Sequence, residues 1–323
     1  MQHSPIAITG VLPHVDQSSS KCCHLGENKK IKRYDLCKNG NNRGRWISLE
    51  SYCNGNMNNT APTHDSGDIC SIKSQKIEEN GSQHYIFEPY SCRYHIYTGD
   101  LIHKCFNGLG IKHLHLHGDS LARNLFTKLI FTLGGKKVDD ENLKEKMNAN
   151  EKLHELHETA NGTHISIGYT WDWVEDPAKN RLHLANTGNP PPDIVSTNYA
   201  LAHNIRDIFI AKESFENGEL QFWKNNSHFK HRIYQSAPVR AGRRAIHWSQ
   251  SYEQFRRINQ MVKVSLVSLS PEPFLVLDEF VLSEGRRHPN ISVDGWHYNG
   301  TTLQMVAQVY LNILCNDWLR KQE

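Results

Sequence analysis

The pattern of apolar and polar positions changes character near residue 110. Residues 1 to about 105 carry no long periodic segment and are rich in Gly, Asn, Ser and Cys, which predicts loops and short strands. "IKHLHLH" (111–117) then alternates with the two-residue period of a strand. "SLARNLFTKLIFTLGG" (120–135) follows with Leu121, Leu125, Phe126, Leu129, Ile130 and Leu133 on one helical face, and Gly134-Gly135 predicts the stop. The charged stretch 139–160, "DDENLKEKMNANEKLHELHETA", reads as an exposed helix or excursion. "THISIGY" (163–169) and "PDIVSTN" (192–198) predict further strands, and the run from Ser249 predicts an amphipathic helix with Tyr252, Phe255, Ile258 and Val262 in register. "PFLVLDEFVL" (273–282) is apolar enough for a buried strand. The last segment, "TTLQMVAQVYLNILCNDWL", predicts a helix turning Leu303, Val306, Tyr310, Ile313 and Leu314 inward. Strands alternating with helices predict an α/β fold with a mostly parallel sheet covered on both faces.

Composition narrows the class. At 323 residues, 38% hydrophobic and 22% charged, the chain can bury a substantial core. A net charge of +3 with scattered basic residues gives no electrostatic footprint for nucleic acid. No apolar run reaches the roughly 18 residues of a membrane helix, and the N-terminus lacks the apolar core of a signal peptide, so no targeting segment is visible. Of the eight cysteines, seven precede residue 106 (Cys22, Cys23, Cys37, Cys53, Cys70, Cys92 and Cys105), and Cys315 lies near the other end. No C-x-x-C pair occurs, so disulfides are the better reading than zinc. Asn58, Asn80, Asn161, Asn225, Asn290 and Asn299 open glycosylation sequons. Together these predict an oxidising compartment, a secretory lumen or the cell exterior, and a division into a Cys-rich segment, 1–105, and a main domain, 106–323.

The chemistry concentrates at "GDS". Ligands of open α/β sheets bind outside the carboxyl ends of the strands. Ser120 follows a predicted strand directly, so it faces such a crevice, and its backbone N–H at a helix start can face an oxyanion. Gly118 permits a sharp turn. A nucleophilic serine needs a base, and the base needs an orienting partner. "SVDGWHYNG" supplies both, with Asp294 and His297 three residues apart after the predicted strand 273–282.

Gly118-Asp119-Ser120-Leu121 with a late Asp294-x-x-His297 resembles the GDSL/SGNH hydrolase superfamily. "C…GRW" (Cys37, Gly44, Arg45, Trp46), "YIFEPYSC" (85–92), Cys105 and "GDSLARN" are similar to its PC-esterase branch, which includes trichome-birefringence-like and Cas1-type glycan O-acetyltransferases. The resemblance implies a three-layer α/β/α SGNH-like domain with a disulfide-rich N-terminal extension. It implies Ser120 as nucleophile, His297 as base, Asp294 as orienter and Asp119 as a brace of the turn. It further implies an oxyanion hole from the Ser120 N–H, Asn198 and a glycine, for which Gly168 is chosen with Gly134 or Gly135 as alternatives, and substrate contacts from Arg123 and Trp296. The implied reaction is acyl transfer through an acyl-serine to a glycan hydroxyl. Esterase activity and a non-catalytic glycan-binding domain are the alternatives. No permanently bound cofactor follows; an acetyl donor such as acetyl-CoA would be a co-substrate of the transferase. The plant branch's "DCSHWCLPG" is absent, so a plant cell-wall substrate does not follow.

The other chemistry-bearing stretches carry less. "HELH" (154–157) and "HFKH" (228–231) read as solvated histidines, "TWDWVED" (170–176) as packing or a sugar-stacking surface, and Arg240, Arg243 and Arg244 as a basic turn. His113 and His117 stand about 13 Å apart along a strand, too far to share one zinc. No metal site is therefore predicted. The three strand histidines are expected to line one sheet face, hydrogen-bonded where buried, with the leucines packing the other.

Overall fold

A computed structural model of the chain describes residues 36–38, 40, 42–48, 85–133, 153–160, 163–171, 192–198, 212–213, 215–226, 229, 231–239, 252–269, 273–284, 292, 297–298 and 300–322. Side chains of 153–164 and of Trp171 and Thr301 fall outside that set, as do Gly134, Gly135, Trp173, Arg240, Arg243 and Arg244.

Six strands form the main sheet: β3 (His113–Gly118), β4 (Leu153–Ala160), β5 (Thr163–Trp171), β6 (Ile194–Asn198), β7 (His231–Gln235) and β8 (Leu275–Leu277). They lie in the order β4-β5-β3-β6-β7-β8. Five are parallel, and β4 pairs antiparallel on the β5 edge. A separate hairpin-like pair joins β1 (Gly44–Ser48) to β2 (Tyr85–Pro89). The helices are α1 (Gly99–Leu109), α2 (Ser120–Thr132), α3 (Leu220–Asn225, entered from a π-helical turn Phe215–Glu219), α4 (Tyr252–Val267), α5 (Glu279–Glu284) and α6 (Gly300–Arg320).

The strand alternation sorts side chains into two cores, one on each sheet face. Leu114, Leu116, Ile167, Ile194, Ile233 and Leu277 pack with α1, α2 and α6. Val195, Tyr234 and Val276 face the other way, against Trp223 of α3 and Phe255, Ile258 and Val262 of α4. The architecture is thus three-layered, α/β/α, with a mostly parallel central sheet.

Two sequence expectations change. Part of the charged excursion, 153–160, is the edge strand β4, because its pairing with β5 supplies the ladder that its composition does not suggest. The apolar run 273–282 holds only a three-residue strand, after which Asp278 caps α5: its Oδ1 accepts from Val281 N at 3.3 Å. An apolar run cannot by itself distinguish a buried strand from a buried helix start.

Helix α6 also carries a polar row that the apolar count overlooks. Gln308, Asn312 and Asn316, spaced four apart, are all buried. The Gln308 and Asn312 amides each pair with both backbone groups of an extended segment, Gln308 with Tyr97 (2.7 and 3.0 Å) and Asn312 with His95 (2.7 and 2.7 Å). Asn316 Nδ2 donates to Cys37 O at 2.7 Å, and its Oδ1 accepts from the Tyr97 hydroxyl at 2.8 Å. The row does for segment 95–97 what a neighbouring strand would do. Asn312→Leu strands a buried N–H and C=O, and we expect it to cost about 2–4 kcal/mol. Urea denaturation should record a lower midpoint at unchanged slope.

Two disulfides lie among the described residues, one within the N-terminal part and one tying it to this frame. Cys37–Cys92 closes across the β1–β2 region, and Cys105–Cys315 joins α1 to α6 over a separation of 210 residues. Closing so long a loop restricts the unfolded chain by about 5 kcal/mol in the chain-entropy description. Cys105→Ala/Cys315→Ala should therefore lower Tm by on the order of 10 °C, read by calorimetry. Cys22, Cys23, Cys53 and Cys70 lie outside the described residues.

Candidate active site

The turn between β3 and α2 is built from several directions. Asp119 is the N-cap of α2: its Oδ1 accepts from Leu121 N at 2.9 Å, satisfying one of the donors that a helix start leaves over. The Asn198 side chain, at the end of β6, grips the same residue twice. Its Oδ1 accepts from Asp119 N (3.1 Å) and its Nδ2 donates to Asp119 Oδ1 (2.6 Å). From β5, the Tyr169 hydroxyl reaches the carbonyls of Gly118 (3.1 Å) and Asp119 (3.0 Å).

Gly118 is the residue this arrangement demands. Its φ is 148°, a conformation L side chains rarely adopt, and a Cβ there would sit 1.6 Å from Asn198 Oδ1. The glycine both makes the turn and leaves room for the amide that fixes it.

Ser120 follows as the first residue of α2, nearly buried, with its N–H in the first helical turn. Its Oγ lies 2.5 Å from His297 Nε2, across 177 residues of sequence. That histidine is half-buried and held by its neighbour: Tyr298 donates its hydroxyl to Val239 O at 2.5 Å and forms a bridge with Ser292. Val239 is in turn bonded through its N–H to Ser283 Oγ of α5 at 2.7 Å. Chemically, a serine hydroxyl facing an imidazole nitrogen at a helix N-terminus can lose its proton as it attacks a carbonyl. One N–H of the Asn198 amide is committed to Asp119, leaving a second donor on the same nitrogen.

The remaining expected residues are placed differently. Arg123 stands one turn beyond Ser120 on α2, half-buried, with its N–H on Asp119 O at 3.1 Å. Asp294 and Trp296 lie outside the described residues. Gly168 is not brought to the serine. It sits mid-strand opposite His115, three residues before the Trp171 that pairs with Gly118, or about 10 Å down the strand. Its missing Cβ makes room for the His115 ring, whose Nδ1 would come within 2.6 Å of one. The glycine serves packing beneath the rim.

The strand histidines lie on the α4 side of the sheet, opposite Leu114 and Leu116. His115 Nε2 pairs with Thr170 Oγ1 at 2.8 Å, and His117 is fully buried. Among the described residues, no group of three or more His, Cys, Asp or Glu is placed to hold a metal ion.

Sequence reasoning missed Tyr169, Gln235 and Glu279. Gln235 ends β7 in register with Asn198, and its Nε2 donates to Glu279 Oε2 at 2.6 Å. Both are buried. Burial pushes the Glu279 carboxyl up from 4.5 to about 7; the Gln235 bond opposes this and the charge of Asp119 adds to it. The available signal was positional: each of these residues lies at or near the carboxyl end of a strand.

No family model and no curated protein matches the chain. Solved structures share its fold in outline. A carbohydrate esterase family 3 protein from Talaromyces cellulolyticus is 16% identical with a TM-score of 0.40, over 66% of this chain and 100% of that one. An acetylxylan esterase from Geobacillus stearothermophilus is 15% identical with a TM-score of 0.40, over 63% and 94%. The C-terminal catalytic domain of a peptidoglycan O-acetyltransferase from Streptococcus pneumoniae is 14% identical with a TM-score of 0.38, over 66% and 95%.

Proposed function

We propose that this protein is a serine-dependent acyltransferase of glycans, most simply a carbohydrate O-acetyltransferase of the SGNH type. The observation that carries this reading is the 2.5 Å approach of Ser120 Oγ to His297 Nε2 at the start of α2. In the first half-reaction Ser120 Oγ bonds to the acyl carbon of the donor and passes its proton to Nε2. The tetrahedral oxyanion is met by the Ser120 N–H and the Asn198 amide. The bond to the donor's leaving group breaks as His297 returns the proton to it, and an acyl-serine remains. In the second half-reaction a sugar hydroxyl attacks that ester while giving its proton to His297, and Ser120 recovers it on leaving.

Asp294 is assigned the orienting role from its three-residue spacing to His297, and Arg123 and Trp296 the substrate contacts. Resemblance of the sequence to glycan O-acetyltransferases supports the acceptor class. The two disulfides support an oxidising compartment, lumenal or extracellular. No helix among the described residues is long and apolar enough to cross a membrane.

Transfer and hydrolysis share the first half-reaction, so the acceptor decides between them. We expect p-nitrophenyl acetate turnover to accelerate when neutral or acidic oligosaccharides are added, with acetylated sugar detected by mass spectrometry. Acetate release alone, indifferent to every sugar offered, would make the protein an esterase.

A further inference from the structure

The residues beneath the serine form a polar chain of which the acyl-transfer steps use only the Asn198 amide. At its near end Asp119 caps α2 and is bonded twice to the Asn198 side chain. Asn198 and Gln235 are paired across β6 and β7, and Gln235 is bonded to Glu279 at the start of α5. All four side chains are at least nine-tenths buried, with Glu279 at 3% exposure. A buried carboxyl with one amide donor is costly to ionise, and more so with a second carboxylate in range.

Resting on the function proposed above, we infer that Glu279 is a positioning residue for the serine turn, which is ordered while Glu279 is protonated and disturbed when it ionises. The charge would be felt at Asp119, the one acidic group acting directly on Glu279 among the described residues. Asp278, its chain neighbour, is ion-paired with Lys263 of α4 at 2.9 Å and bonded by Ser236 at 3.0 Å. Beyond Asp119 lies the Ser120–His297 pair. Two buried carboxylates repel, and Asp119 can yield only by loosening its hold on Leu121 N and Asn198. Both hold the turn that presents Ser120.

The consequence is an alkaline limb in the pH profile: ionisation of Glu279, whose carboxyl burial pushes up to about 7, lowers activity as pH rises. The sign also fixes a stability trend. A carboxyl whose value is raised from 4.5 to about 7 by folding contributes stability that is lost as pH rises between those values.

The test compares pH profiles of kcat for p-nitrophenyl acetate in the wild type, Glu279→Gln and Gln235→Met. Glu279→Gln keeps an acceptor for Gln235 and cannot ionise, so its alkaline limb should vanish whatever its plateau. Gln235→Met removes the donor that favours the carboxylate, so its alkaline limb should move to higher pH. A limb unchanged in both variants overturns the inference. A parallel series of Tm against pH separates this outcome from failure of the functional reading. If the wild type turns over no ester at all, the acyl-transfer proposal falls. The difference in pH-dependence of Tm between wild type and Glu279→Gln over pH 4.5–7 then still decides whether Glu279 titrates in the fold as inferred.

Discussion

Ser120→Ala should reduce kcat for acyl-ester turnover by about 10⁴–10⁶-fold, the range seen when a nucleophile is removed from a hydrogen-bonded triad. The hydroxyl is one small polar group facing the site, so global stability should change by less than about 1 kcal/mol. His297→Ala should cost a similar factor, since the serine hydroxyl is a poor nucleophile without a base 2.5 Å away. The informative experiment is the double variant. If the two side chains act as one device, removing both is little worse than removing either. Losses that multiply would mean that they act separately, and the acyl-serine pathway would lose its basis.

The second large effect is expected at Gly118→Ala. The added methyl meets Asn198 Oδ1 at 1.6 Å and imposes a side chain on a backbone with φ 148°, so the turn cannot absorb it by a rotamer change. Displacing Asn198 breaks both of its bonds to Asp119 and removes a candidate oxyanion donor. We expect about 3–5 kcal/mol of destabilisation. A fall in kcat of about 10²–10³-fold should accompany it, the typical cost of one oxyanion donor. Asn198→Ala should reproduce the catalytic loss with a smaller loss of stability, because the strained backbone remains a glycine. In Gly118→Ala/Asn198→Ala the clash is gone, so the stability losses should sum to less than the singles by more than 0.5 kcal/mol. Strict additivity, measured by chemical denaturation of all three, would show that the glycine and the amide are not matched to each other.

Much of the architecture was legible because periodicity and local chemistry agree there. β3, the Asp119 cap and α2 follow one another with an alternating strand, a capping carboxylate and a helical apolar stripe. β5, β6, α4 and α6 announced themselves in the same way. The histidine-leucine comb also read correctly, with the leucines in one core and the histidines on the opposite face. What stayed hidden depends on partners distant in sequence. β4 is charged and becomes a strand only because β5 offers it a ladder. The sequence reading did not pick out "HRIYQ" (231–235) as a strand, yet it sits between β6 and β8 in the sheet. The amide row of α6 has helical spacing, but its meaning lies in a backbone segment more than 200 residues earlier.

The site divides along the same line. Ser120 and His297 were identified from local motifs, and the fold brings them together across 177 residues. Asn198 came in through the resemblance to the superfamily's oxyanion asparagine, whereas its double grip on Asp119 shows only in the fold. Gly168 misled because a glycine after a strand-like run can serve a turn, a close backbone approach or, as here, the ring of a neighbouring histidine. Tyr169 and Glu279 carry no motif; they matter through where β5 and β8 end.

The most direct measurement is active-site labelling. The protein is treated with a fluorophosphonate, digested, and the modified peptide mapped by mass spectrometry. The expected result is a single adduct on Ser120 Oγ, formed in the wild type and suppressed by His297→Ala. An adduct elsewhere, no adduct at all, or acyl-ester turnover undiminished in Ser120→Ala would contradict a nucleophilic Ser120 and with it the acyl-transfer mechanism.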